Sequence, residues 1–218
     1  MRDLALYGSG GLGRELYCMI DLINKTLVPE DKFNFVGFID DTKPVGTQIA
    51  HYGKVMGGIE ELNSWSRPLS IVIAVGSPSG RQLISSKINN EFIDFPNFIH
   101  PSFYVSDPQT FSIGKGNVIT GDCSATVSTR IGDFNLFNGS VHMGHDDSIG
   151  NCNVFMPDIR VSGGVTVGDG NLIGVGSRII QQLKIGNGVT LGAGAVLMTK
   201  PKDNSTYIGN PAKIFKFR

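Results

Sequence analysis

The sequence lacks any imbalance of charge: 19 lysines and arginines face 19 aspartates and glutamates. No net field therefore draws the chain onto nucleic acid or an anionic membrane. It also lacks any run of about 18 apolar residues, the length a membrane-crossing helix needs. The opening MRDLALYG leads into an apolar run too short for a signal peptide. A cytoplasmic protein without membrane insertion is expected. Cysteine is scarce, with Cys18, Cys123 and Cys152 alone. Their odd number and lack of ligand spacing exclude a disulfide framework and read as reduced thiols buried as small hydrophobes. Of only four histidines, two lie within GSVHMGHDDSIG at 139–150. His142 and His145 would need a third ligand of another type to hold zinc, so no metal is expected.

What the sequence has in excess is glycine: 29 residues, most of them after residue 110. There, steps of six from Ile113 meet Ile119, Ala125, Ile131, Phe137, Met143, Ile149, Phe155, Val161, Val167, Ile173, Ile179, Ile185, Leu191 and Leu197 without a polar residue. Glycine often comes next, at 114, 132, 144, 150, 168, 174, 186 and 192. Six is not near a multiple of 3.6, and this glycine load would melt an α-helix. A parallel β-helix fits: three hexads per triangular coil, each inward residue followed by a glycine free to turn. The spacing predicts about five coils, from Ile113 to Lys202.

The first third reads differently. LALY at 4–7 is a strand, GSGGLGRE a glycine turn, and Leu12, Leu16, Met19, Ile20 and Ile23 fall on one helical face. FVGFIDD is a second strand ending in Asp40 and Asp41. Gly8, Gly10 and Gly13, with Gly11 between them, match G-x-G-x-x-G, whose amides can approach a phosphate at a helix N-terminus. The acids would hold a ribose. LSIVIAVG running into SPSGRQLISSKI gives a further strand-to-helix junction at Gly76 and Ser77. About 95 residues is half a full dinucleotide fold. A nucleotide-sugar suits it better than NAD, and an oxidoreductase is not expected. The expected division is 1–95, a Rossmann-like nucleotide-sugar-binding α/β subdomain, and 96–218, a β-helix with a C-terminal tail.

Taken in order, YGSGGLGRE, GFIDD, IAVGSPSGRQ, FIHPS, GHDDSIG, VSGGVTVGDG, GAGAVLM and YIGNPAKIFK resemble one family over nearly the whole chain. It is the hexapeptide-repeat sugar acetyltransferases of the bacillosamine N-acetyltransferase and sialic acid O-acetyltransferase type. The resemblance implies a left-handed coil, a homotrimer, and acetyl transfer from acetyl-coenzyme A to a sugar or nucleotide-sugar used in surface polysaccharide or glycoprotein synthesis. It implies that His145 is the general base with Asp146 as neighbouring acid. It also sets Gly174, Gly192, Ala193, Gly209, Asn210, Pro211 and Lys213 near the coenzyme. His142 is expected on a face or interface. Four departures from the family pattern bear on the acceptor: Leu12 and Val154 stand where histidines are usual, Asp158 where glycine is, and GSPSGR replaces a commoner polar run. A non-catalytic nucleotide-sugar binder or scaffold on the same fold is the alternative.

Overall fold

The computed structural model describes residues 1–216. The first region is a sheet of β1 (Arg2–Tyr7), β2 (Phe33–Ile39), β3 (Gln48–Ile49), β4 (Gly53–Gly57), β5 (Leu69–Ile73) and β6 (Ile93–Asp94), in the order β3-β4-β2-β1-β5-β6. Strands β2, β1, β5 and β6 run parallel. Central β1 and β5 are buried on both faces, so they read as unbroken apolar runs rather than alternating ones. Helix α1 (Gly11–Asn24) buries Leu16, Met19, Ile20 and Ile23 against one side of the sheet. Helices α2 (Ile59–Asn63) and α3 (Pro78–Lys87) pack Leu62 and Ile84 on the other. The β3–β4 hairpin, α2 and β6 carry little periodicity and are not foreseen by the sequence pattern.

The second region is a parallel β-helix, left-handed as expected, whose two-residue strands form three faces. The first face stacks strands at 98–99, 118–119, 136–137, 154–155, 172–173 and 190–191; the second runs from 104–105 to 196–197, and the third from 112–113 to 184–185. Five complete coils thus span Phe98 to Ile185, with two strands of a sixth, so the helix begins earlier than Ile113. Two extra residues between Val105 and Ile113 break the six-residue step and hide the first coil from a periodic search. Of the fifteen residues on the beat, all but Ile113 are buried. Their rings and branches stack rung on rung, with Phe137 and Phe155 parallel at 4.9 Å.

The turn chemistry corrects the expected role of glycine. Positive φ falls three residues after the inward residue, at every sixth position from Gly116 to Gly194. Most of these positions are not glycine; Asp122, Phe134, Asp146 and Asp158 are among them. Glycine directly after the beat serves close stacking: a Cβ on Gly132 would lie 2.7 Å from the Gly150 carbonyl oxygen one coil on.

At the corner between the third and first faces the turns are held by two side-chain ladders. Buried Asn117, Asn135, Asn153 and Asn171 each accept a backbone N–H 18 residues on and donate to a carbonyl 15 residues on. Outside them Asp133, Asn151, Asp169 and Asn187 alternate, each accepting the N–H one coil back.

The outward column of the first face, Val118, Leu136, Val154 and Leu172, packs into the same cluster as α1. This explains an apolar residue at 154, and means that the N-terminal region covers this face within a single chain. One residue bolts the two regions together. Arg81 of α3 is fully buried and donates to Ile73 and Val75 of the sheet region and to Gly116, Phe134 and Asn135 of the coil corner, all backbone carbonyls. Burial pushes its pKa down to about 10, so it stays charged at neutral pH.

Candidate active site

His145 sits in the turn 144–147, at the corner between the second and third faces, opposite the face that the N-terminal region covers. Its Nδ1 lies 2.8 Å from Asp146 Oδ2, and the two side chains are 64% and 63% exposed. Donation of Nδ1–H to the carboxylate leaves Nε2 with its lone pair free to take a proton. The backbone fixes the pair: Asp146 N–H donates to the Val127 carbonyl, and Gly164 N–H to that of His145.

The imidazole rests on Gly163 of the next coil, where a Cβ would come within 2.4 Å of Nε2. A methyl group there must push the ring aside, and an exposed ring can move without disturbing the core. Gly163→Ala is therefore expected to keep its melting temperature within a few degrees but lose about tenfold in kcat. Thermal melts alongside initial rates check this; wild-type turnover in the variant would show that ring position there is immaterial.

His142 projects from the second face and meets Ser124 Oγ at 2.8 Å. Burial, then Arg160, lowers its pKa and so favours the neutral ring. Asp158, one of the departures from the family pattern, bridges Arg160 at 3.3 Å and Arg178 at 3.2 Å on that face.

The glycine loop opens onto a cavity of about 590 Å³ lined by Gly8 to Leu12, Asp40 to Lys43, Gly76 and Leu83 among others. A Cβ on Gly10, Gly11 or Gly76 would meet nothing within 4 Å, so these three leave room for a ligand. Gly13 does not: its Cβ would fall 2.0 Å from the Gly8 carbonyl oxygen, and it serves helix-to-strand packing. Ser77 caps α3, its Oγ accepting Gly80 N–H at 3.2 Å.

Asp40 accepts from Ser9 N–H and Oγ, Thr42 N–H and Oγ1, and Lys43 Nζ. Burial raises its pKa, but those donors outweigh it and hold the carboxyl well below the usual range. With its lone pairs taken up, Asp40 braces the loop. Asp41 accepts from Tyr7 Oη and from Ile59 N–H, and keeps unused lone pairs toward the cavity.

Of the residues expected near the coenzyme, Gly174, Gly192 and Ala193 line the corner between the first and second faces. Gly209 to Lys213 close the last coil beside them, Ala212 N–H donating to Val196. They share the second face with His145 but occupy its opposite edge. Cys123 and Cys152 are buried, whereas Cys18 is exposed. Among the described residues no three His, Cys, Asp or Glu side chains gather as metal ligands, and no helix is long and apolar enough to cross a membrane.

Sequence reasoning misses Ser9, Lys43, Arg81 and Gly163. The last is findable, since one coil is 18 residues and Gly163 stands 18 after His145.

The PglD N-terminal domain family matches residues 3–88. No curated protein sequence matches the chain. Among solved structures, the acetyltransferase domain of PglB from Neisseria gonorrhoeae FA1090, in complex with acetyl coenzyme A, is 29% identical. The match covers 98% of this chain and 99% of that one, with a TM-score of 0.85. WeeI from Acinetobacter baumannii AYE is 25% identical over 99% of this chain and 100% of its own, with a TM-score of 0.85. PerB from Caulobacter crescentus, in complex with CoA and GDP-perosamine, shares the fold at 24% identity, covering 99% and 98% of the two chains with a TM-score of 0.83. A PglD N-terminal domain followed by a hexapeptide β-helix thus makes the chain similar, end to end, to an acetyltransferase domain, the architecture that the sugar acetyltransferases of the bacillosamine N-acetyltransferase type resemble.

Proposed function

We propose that the chain transfers an acetyl group from acetyl-coenzyme A to an amine or hydroxyl of a nucleotide-linked sugar, with His145 as general base. The observation that carries this is the exposed His145 and Asp146 pair, which leaves Nε2 free on a rigid corner. Nε2 takes the proton of the acceptor as its nitrogen or oxygen attacks the thioester carbonyl; the carbon–sulfur bond then breaks, and the imidazolium returns the proton to the leaving thiolate. Asp146 steadies that imidazolium. A backbone amide of the coil serves the oxyanion.

Direct transfer is favoured over an acyl-enzyme. Burial raises the thiol pKa of both Cys123 and Cys152, which leaves them protonated and poor as nucleophiles. The nucleotide lies along Gly8, Gly10, Gly11 and Gly76, with Asp41 toward the ribose, and the coenzyme along Gly174, Gly192, Ala193 and Gly209 to Lys213. The glycine loop belongs to the region that covers the first face, and His145 is on the corner opposite that face. One loop and one base of the same chain are thus a full face apart, on the order of 15 Å. A trimer in which each chain's pocket meets a neighbour's His145 resolves this.

The test is incubation with acetyl-coenzyme A and a panel of nucleotide-linked amino sugars, following thiol release and product mass. Release with an acceptor heavier by one acetyl group supports the reading. Binding of a sugar nucleotide with no release would replace it with the scaffold reading.

A further inference from the structure

Asp147 follows the catalytic pair in the chain, yet it is 1% exposed and turned into the corner beneath His145. Its Oδ1 accepts Val165 N–H at 2.8 Å, 18 residues on, as each ladder asparagine does at the other corner. Each of those asparagines completes its rung by donating Nδ2–H to the carbonyl 15 residues on, at 2.8 to 3.0 Å. Hydroxyls do the same elsewhere: Thr129 donates to Gly144, and Ser177 to Gly192.

For Asp147 the carbonyl 15 residues on is that of Ser162, whose carbon packs against Gly144 in the same turn. Asp147 Oδ2 takes the place of the donor nitrogen, and it is buried without a hydrogen-bond partner. An ionised carboxylate there would set a bare oxygen against a carbonyl, at the cost of a buried, unsatisfied charge. A protonated one reproduces the asparagine rung.

We propose that in mildly acidic solution Asp147 is held as a neutral carboxylic acid, its Oδ2–H donated to the Ser162 carbonyl, and that this closed rung fixes the turn from which His145 projects. Asp147 is thus a positioning residue: it ties the His145 turn to the Gly163–Val165 turn on which the imidazole lies. Burial pushes its carboxyl up to about 6, helped by Asp146 and opposed by the Val165 and Gly144 amides and by His145. His145 and Asp146 are the charges that act on it; the coils on either side present Thr129 and Ser162 to Val165.

The sign follows from a folded pKa above the unfolded one, 3.8. The rung stabilises fully below the unfolded value and is lost as pH rises through about 6. Asp147→Asn supplies a permanent donor of the same shape. Its melting temperature is expected to exceed that of the unaltered protein by a margin that grows by several degrees between about pH 4.5 and 7.5. A margin that does not change with pH, or an Asp147→Asn protein that fails to fold, would overturn the neutral rung.

The catalytic consequence rests on His145 being the base. Measured below about pH 6, where the rung is closed, Asp147→Ala should lose about tenfold in kcat with both KM values unchanged, and Asp147→Asn should restore it. An alanine variant with full kcat, or an asparagine variant as slow as alanine, would remove the positioning role. The melting arm needs no turnover, so failure of the transferase reading leaves it intact and distinguishable.

Discussion

His145→Ala is expected to lower kcat by about 100-fold or more while the circular dichroism spectrum and melting temperature stay as they are. The side chain is exposed, lies over Gly163 and pairs with exposed Asp146, so its loss leaves the core untouched. KM for acetyl-coenzyme A should hold and that for the acceptor should change far less than kcat, as for loss of an interaction made mainly in the transition state. Dissociating and reassembling the variant with a second one blocked in the glycine loop, such as Gly11→Leu, should return activity that neither has alone, because in the proposed trimer pocket and base meet across chains. Unchanged turnover in His145→Ala would remove the base assignment. Loss of turnover without recovery in the mixture would keep the base and remove the shared site.

Arg81→Met should be the most damaging single change to stability. Methionine fills part of the space but donates nothing, and five carbonyls from two regions lose their partner at once. Replacing a buried ion pair with apolar groups can be neutral, since both charges leave together. Here the acceptors remain, and each unmet buried carbonyl costs about 1 to 3 kcal/mol before relaxation. A loss of about 4 kcal/mol or more is expected, on the order of 10 °C in melting temperature for a chain of this size. Arg81→Lys, with three donors, should fall between. A shift below about 2 °C in Arg81→Met would show that the carbonyls find other partners. Calorimetry reads this directly. It should also show the single transition splitting in two, since Arg81 carries three hydrogen bonds from the sheet region to the coil.

The β-helix is the most legible part of the chain, for a physical reason. Its inward column tolerates no polar side chain, so Ile119 to Leu197 repeats without a fault, whereas turn positions accept Asp, Ser, Phe, Cys or Gln and carry no visible rule. That asymmetry is why glycine after the beat reads, wrongly, as the turn residue. What it marks is the approach of one coil to the next, which depends on residues 18 away and not on the local chain. The site is legible to the extent that it is local. His145 and Asp146 adjoin in sequence and in space, but Asp40 looks like a ligand because the sequence does not reveal that Ser9, Thr42 and Lys43 already occupy it. Arg81 gives no signal, because its partners are carbonyls, which every residue has.

The outer ladder at the corner between the third and first faces also limits how such a chain can lengthen or shorten. Asp133, Asn151, Asp169 and Asn187 alternate acid and amide along neighbouring rungs. Loss of the coil that carries Asn151, or duplication of one that carries an aspartate, would set carboxylate over carboxylate at a rung spacing of about 4.8 Å. A change of two coils would keep the alternation intact. Each coil preserves the core equally well, but only an even number preserves the charge pattern, so a pair of coils is the natural increment by which this protein can gain or lose height.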